Sequence, residues 1–380
     1  MTIKNITVLG SGVMGHGIAQ VSAMSGYNVI LRDVEQQFLD KAMEKIKWSL
    51  DKLVSKQKIS ENEAQNIFSR IIPKVNLGDA LKNCDLMIEA VPEIMDLKKK
   101  VYAEVDAVAN ENTIYASNTS TLPITEIANI TKRPNKFIGI HFFNPPQLMK
   151  LVEVIPGQKT PQELVDLTMN FVRSVSKEPV LCKKDVAGFI VNRIFIPLVH
   201  EAAWEMDRTK SSIAEIDSAV KFELNFPMGI FELADFTGLD VIHKATTEMH
   251  SRDKKVINPH PIIQNLFEQK KLGQKTGSGF YDYSGEKYER VNLTEELAKK
   301  FNPTQLLGTA LNNAAWLITN QVSDVDEIEK ALNLGMGLKK PIFETAKKIG
   351  MKKIIESLQT LSKRYGEFYE PDPYLLSMLN

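Results

Sequence analysis

Ile3-Lys4-Asn5-Ile6-Thr7-Val8-Leu9 leads directly into Gly10-Ser11-Gly12-Val13-Met14-Gly15. A helical run reaches Ser25, and the segment closes with Gly26-Tyr27-Asn28-Val29-Ile30-Leu31-Arg32-Asp33. The order is strand, glycine turn, helix, strand, acid, all within about thirty residues, the length of one βαβ unit. Gly10 suits a tight turn, Gly12 lets backbone come close to a pyrophosphate, and Gly15 lets the helix pack against the strand. The start of that helix offers free N–H groups and the positive end of its dipole to phosphate oxygens. Asp33 falls where a carboxylate accepts hydrogen bonds from an adenine-ribose diol and repels a 2′-phosphate. NAD is therefore expected over NADP, although Arg32 stands beside the acid.

Composition narrows the classes. A chain of 380 residues has room for two or three domains and ample core. Lys plus Arg equals Asp plus Glu at 47 each, so no net field recruits nucleic acid or an anionic membrane. Cys84 and Cys182 are the only cysteines, which argues against a disulfide scaffold and suits a reducing cytoplasm. The first strand starts at residue 3, leaving no room for a secretory leader. The most apolar stretch, Gly188 to Val199, is broken by Asn192, Arg193 and Pro197, so no membrane span is expected.

Downstream of Asp33, Phe38, Met43, Ile46, Leu50 and Leu53 recur at helical spacing over 38–53, with a basic face of Lys41, Lys45, Lys47, Lys52 and Lys56. Ser60 to Arg70 reads as a polar connector. Strands are expected at Leu86–Glu93, Thr113–Ala116, Phe137–Ile140 and Met149–Ile155, alternating at first with helical stretches. That rhythm predicts an α/β, Rossmann-type doubly wound parallel sheet, whose ligands bind at the C-terminal ends of the strands. Polar clusters follow the strands there: Pro92-Glu93 with Lys98, then Ser117-Asn118-Thr119-Ser120, then His141-Phe142-Phe143-Asn144-Pro145.

Beyond residue 184 helical patterns dominate. Residues 202–238 recur at an offset of 112 without a gap: Ala202-Ala203-Trp204 matches Ala314-Ala315-Trp316, Glu215-Ile216-Asp217 matches Glu327-Ile328-Glu329, and Ile230-Phe231-Glu232 matches Ile342-Phe343-Glu344. The expected organisation is a sheet domain over 1–184, a helical domain over 185–284, and a duplicated helical domain over 295–380. The second copy carries Thr304 in place of Asn192 and Lys339-Lys340-Pro341 in place of Pro227-Met228-Gly229. It is expected to be a packing partner and non-catalytic.

Hydride chemistry at an alcohol carbon needs a base for the hydroxyl proton. Of His16, His141, His200, His243, His250 and His260, only His141 is expected at a strand end on the crevice side, and imidazole suits acid–base work near neutral pH. Glu153, an acid in an apolar run, needs a partner if buried, and could orient the imidazole. Ser120 and Asn192 could hold a substrate oxygen or simply cap helices. Lys98 and Lys275 read by default as solvated charge.

These motifs, taken with Gly188-Phe189-Ile190-Val191-Asn192-Arg193 and Pro227-Met228-Gly229, resemble those of L-3-hydroxyacyl-CoA dehydrogenases from residue 3 to about 283. The resemblance implies NAD-dependent, reversible oxidation of an (S)-3-hydroxyacyl-CoA, a short one such as 3-hydroxybutyryl-CoA, in fatty-acid metabolism. It implies His141 as catalytic base, Glu153 as its partner, and Ser120 and Asn192 at the reacting oxygen. Gly10, Gly12, Val13, Met14, Gly15, Asp33, Glu93, Lys98, Ser120, Asn144 and Lys275 would contact NAD. Ser49, Lys56 and Ser120 would contact CoA, and no metal is called for. Single-unit members dimerise through the helical domain; here the second copy could occupy that surface, leaving monomer or homodimer, with association to a separate enoyl-CoA hydratase as a further expectation. Competing expectations are a dehydrogenase of a small hydroxy acid without CoA, and a crystallin-like structural dinucleotide binder.

Overall fold

The computed structural model describes residues 2–253, 256–285 and 292–379, and residues 286–291 of the polar segment after Gly277 lie outside them. The chain forms two compact units, Met1–Asp185 and Val186–Asn380.

In the first unit β1 (Asn5–Leu9), α1 (Val13–Met24) and β2 (Asn28–Arg32) are followed by α2 (Gln36–Ser55), α3 (Glu61–Ser69), β3 (Ile71–Lys74) and α4 (Leu77–Leu81). Then come β4 (Leu86–Glu89), α5 (Met95–Val108), β5 (Ile114–Ser117), α6 (Ile124–Ala128), β6 (Phe137–Phe142), β7 (Leu151–Pro156), α7 (Gln162–Ser174) and β8 (Glu178–Leu181). The strands make one sheet in the order β3-β2-β1-β4-β5-β6-β7-β8. From β3 through β6 the neighbours are parallel; β6 pairs antiparallel with β7, which is again parallel to β8. Every residue of β4, β5 and β6 is buried, as expected of strands covered on both faces, and their apolar runs are near-continuous. The order reverses between β1 and β4, the switch point at which such sheets open a crevice.

Three expectations need correction. Residues 60–70 are not a connector: they form α3, begun by a capping box in which Ser60 accepts from the Glu63 N–H and the Glu63 carboxylate accepts from the Ser60 N–H. The third crevice strand does not end at Ile140, since β6 runs on to Phe142 and carries His141 inside its last turn of pleat. The sheet is also not parallel throughout, because β7 returns antiparallel beside β6.

The second unit is helical: α8 (Val191–Thr209), α9 (Ile213–Phe222), α10 (Ile230–Thr237), α11 (Leu239–Arg252), α12 (Pro261–Glu268) and α13 (Glu295–Ala298), then α14 (Thr304–Thr319), α15 (Val325–Met336), α16 (Ile342–Ile349), α17 (Met351–Tyr365) and α18 (Pro373–Ser377). The 112-residue offset carries the starts of α9, α10 and α11 onto those of α15, α16 and α17. Local devices repeat as well. Ser212 and Asp324 each cap a helix by accepting the N–H three residues on. Asp217 accepts from the N–H groups of Phe231 and Glu232 at 2.8 and 3.0 Å. Glu329 accepts from Ile342 and Phe343, both at 3.0 Å, one position earlier as its extra methylene requires. Gly238 and Gly350 turn the chain at φ of +103° and +109°, a region that glycine enters without strain.

The copies pack through α8 and α14. The Arg193 guanidinium lies 3.8 Å from the Trp316 ring centroid. Arg208 donates to Glu201, Glu205 and the Tyr369 hydroxyl at 2.8–2.9 Å, while Tyr369 donates to Glu201 at 2.6 Å. No helix among the described residues is long and apolar enough to cross a membrane.

Candidate active site

The glycine loop has the shape its sequence demands. Gly10 sits at φ +93°, and a Cβ there would press on the Ala90 carbonyl oxygen at 2.6 Å. A Cβ on Gly15 would collide with the Gly10 carbonyl oxygen, so the close packing of helix on strand needs glycine. Around Gly12, by contrast, a Cβ would meet nothing within 4 Å. The space over the start of α1 is open, and no side chain caps that helix end. A pyrophosphate fits such a cradle, with Val13 and Met14 in its first turn. Asp33, just past β2, accepts from Ser11 N and Ser11 Oγ, both at 2.7 Å, and from Val34 N at 2.7 Å. Its carboxylate is therefore already fixed, half-exposed, just beyond the C-terminal end of β2. Arg32 is tied away, donating through Nε to the Val75 carbonyl at 3.1 Å.

At the ends of β4 and β5 the polar cluster is tightly wired. Glu93 accepts from Ser120 N at 2.8 Å, Thr121 N at 3.2 Å and Thr119 Oγ1 at 2.5 Å. Lys98, fully buried, spans Glu89 at 2.6 Å and Glu93 at 3.2 Å. Burial pushes the Glu93 carboxyl up, but Lys98 and the donors from Thr119 and Ser120 outweigh it and hold it below the ordinary range. Burial likewise pulls Lys98 down, and its two carboxylates more than restore it. Lys98 is thus no solvated surface charge.

On β6, His141 stands in antiparallel register with Glu153 on β7. Nδ1 lies 2.7 Å from Glu153 Oε2, and both side chains are buried. A carboxylate accepts only, so Nδ1 carries the proton and Nε2 is left as the basic nitrogen. Asn118 Oδ1 accepts from Phe142 N at 2.9 Å, stitching the β5 turn to the strand that bears His141.

Other histidines are committed elsewhere. His16 Nδ1 donates to the Gly12 carbonyl at 2.7 Å. His200 accepts from the His260 N–H at 2.9 Å and bonds Thr246 at 2.7 Å; burial drives it down to about 3, so it stays neutral. His260 caps α12, and His243 stacks on Phe267.

Ser49 lies in the penultimate turn of α2 and accepts from the buried Gln20 at 3.0 Å, while Lys56 is the residue that caps the end of that helix. Asn144, exposed, precedes Pro145 just after β6. In the helical unit Asn192 lies in the first turn of α8, and Lys275 is ion-paired with Asp240. Sequence reading missed Glu89 and Asp185. The signal existed for Glu89, an acid inside an apolar strand, by the same reasoning that singled out Glu153. Asp185, which accepts from the N–H groups of Ile124 and Thr125 at 3.1 and 2.7 Å and so anchors the start of α6, carried no local signal.

A base presented at the crest of a dinucleotide-type sheet is the equipment of a pyridine-nucleotide dehydrogenase. The 3-hydroxyacyl-CoA dehydrogenase NAD binding domain matches residues 5–186, and the C-terminal domain of the same enzymes matches 188–283 and 301–380. The chain belongs to the 3-hydroxyacyl-CoA dehydrogenase family. It is 42% identical over 289 residues to the mitochondrial hydroxyacyl-coenzyme A dehydrogenase of Rattus norvegicus, covering 74% of this chain and 91% of that one. It is also 42% identical over 281 residues to 3-hydroxybutyryl-CoA dehydrogenase of Clostridioides difficile, covering 73% and 99%. The crystal structure of Escherichia coli 3-hydroxybutyryl-CoA dehydrogenase superposes with a TM-score of 0.89 at 26% identity, over 100% of this chain and 98% of that one.

Proposed function

We propose that the protein oxidises short (S)-3-hydroxyacyl-CoA esters, 3-hydroxybutyryl-CoA foremost, to 3-ketoacyl-CoA with NAD, reversibly. The observation that carries this reading is the His141–Glu153 couple, buried in register on β6 and β7, in the same sheet whose β1 leads into the glycine loop. His141 Nε2 takes the hydroxyl proton of the substrate. Glu153, accepting from Nδ1–H, fixes the tautomer and stabilises the imidazolium that results. Ser120, its N–H anchored on Glu93, and Asn192 hold the reacting oxygen so that the carbinol carbon is correctly oriented. NAD, held by the Gly10–Gly15 loop and Asp33 with Glu93, Lys98, Ser120, Asn144 and Lys275 contributing, supplies the hydride acceptor. Ser49 on α2 and Lys56 at its C-terminal cap receive the CoA moiety.

The short-chain assignment is supported by the substrate for which the C. difficile and E. coli proteins are named. A cytoplasmic location is supported by two free, buried cysteines. We take the helical copy over 295–380 to be a packing partner, the chain to act as monomer or homodimer, and a separate enoyl-CoA hydratase to be the partner that supplies substrate. The test is a panel of 3-ketoacyl-CoA chain lengths with NADH and NADPH, followed at 340 nm beside free acetoacetate. Turnover of acetoacetyl-CoA with NADH, and none of acetoacetate, is expected; equal use of the free acid would overturn the CoA assignment.

A further inference from the structure

The strand order sets a direction along the crest. Asp33 follows β2, the open cradle follows β1, and the far half of a dinucleotide that crosses the switch point runs over the ends of β4, β5 and β6. On the NAD reading above, that half carries the nicotinamide. Beneath it, Glu89 ends β4 in register with Ser117 at the end of β5. Glu89 is fully buried, and its acceptors are occupied: Oε1 by Lys98 Nζ at 2.6 Å and Val91 N at 2.8 Å, Oε2 by Ser117 Oγ at 2.7 Å and Tyr102 at 3.5 Å. Lys98 in turn gives its protons to Glu89, to Glu93 at 3.2 Å and to the Val91 carbonyl at 3.5 Å. Only Glu93, with its side chain 22% exposed, opens outward from the group. Two carboxylates and one ammonium sum to a single negative charge, held rigid in a poorly solvated site where charge acts strongly.

We propose that Glu89 is a positioning residue. By clamping Lys98 it fixes the Glu93 carboxylate and the 117–121 turn that bears Ser120, and it leaves the nicotinamide end of the crest one negative charge that favours the oxidised, cationic ring over the reduced, neutral one.

The test measures dissociation constants for NAD+ by calorimetry and for NADH by fluorescence, together with kcat and melting temperature. Glu89→Gln keeps shape but brings the group to neutrality; the ratio Kd(NAD+)/Kd(NADH) should rise about tenfold. The paired variant E89Q/K98M leaves Glu93 alone and restores one negative charge. Its ratio should return to within about threefold of the parent, while kcat falls at least about tenfold because Glu93 has lost its clamp. A purely structural Glu89 would raise both constants together and lower the melting temperature with the ratio unmoved, and that result overturns the proposal. Should E89Q fail to fold, the paired variant, which leaves no lysine in this group, decides the matter: an unchanged kcat overturns it. If the parent protein binds neither nucleotide, the NAD reading itself falls; if it binds both and the ratio ignores Glu89, only this proposal does.

Discussion

His141 and Glu153 face one another across the antiparallel pairing of β6 and β7, Nδ1 to Oε2 at 2.7 Å, on neighbouring strands of a fully buried part of the sheet. A base fixed by backbone register loses little orientation when a loop moves, and its partner cannot be lost without leaving a buried polar gap. His141→Ala should therefore lower turnover by about a thousandfold with NADH affinity within about threefold of the parent. Steady-state rates at 340 nm and a fluorescence titration measure the two quantities; near-normal turnover would refute the acid–base role.

Glycines 12 and 15 should respond in opposite ways. Gly12→Ala places its methyl in open space, so stability should hold while NAD affinity drops by at least about tenfold, the methyl occupying the pyrophosphate cradle. Gly15→Ala collides with the Gly10 carbonyl and should cost about 2 kcal/mol or more of stability. Thermal melts beside calorimetric titrations separate the pair.

Removing Asp33 tests the other end of the cofactor. Asp33→Ala should weaken NAD binding by about ten- to a hundredfold and narrow the preference over NADP, leaving CoA-ester affinity close to the parent value. A larger loss for the ester than for NAD would contradict the assignment.

For the CoA end, Lys56→Ala should raise KM for acetoacetyl-CoA about five- to tenfold and leave KM for the matching N-acetylcysteamine thioester, which lacks the nucleotide, unchanged. Equal effects on both substrates would remove Lys56 from CoA recognition.

Acid–base behaviour of the helical unit has a definite sign. Burial pushes the Glu201 carboxyl up to about 7, against opposing pulls from Arg208 and Tyr369. The folded state then binds that proton more tightly than the unfolded chain, so this group's contribution is fully favourable below about pH 4.5 and declines as pH rises towards 7. Glu201→Gln, a permanent mimic of the protonated form, should gain on the parent across that window by something on the order of 2 kcal/mol. Denaturant melts of both proteins at pH 5 and 7.5 give the comparison, and a constant difference between them would show that Glu201 does not titrate in this window.

The glycine loop and Asp33 were legible because that geometry admits few residue types at fixed spacing. The duplication was legible because its register never slips. Harder features had weaker local signals. Ser60 and Glu63 spell a capping box, yet polar residues around them masked the apolar face of Ala64 and Ile67 that α3 buries. The reversal at β7 depends on which edge of β6 is free, a tertiary fact with no periodicity of its own. The Glu89–Lys98–Glu93 group was half visible: Glu93 and Lys98 were picked out, while Glu89, which holds them, was read only as part of a strand.

The face that α8 offers and the face that α14 returns belong to one polypeptide, so their meeting is a first-order event. Its strength does not vary with dilution, and neither half waits on a second molecule to be synthesised. Because Asp217 and Glu329 brace their halves by the same two-amide grip, each half keeps its own frame.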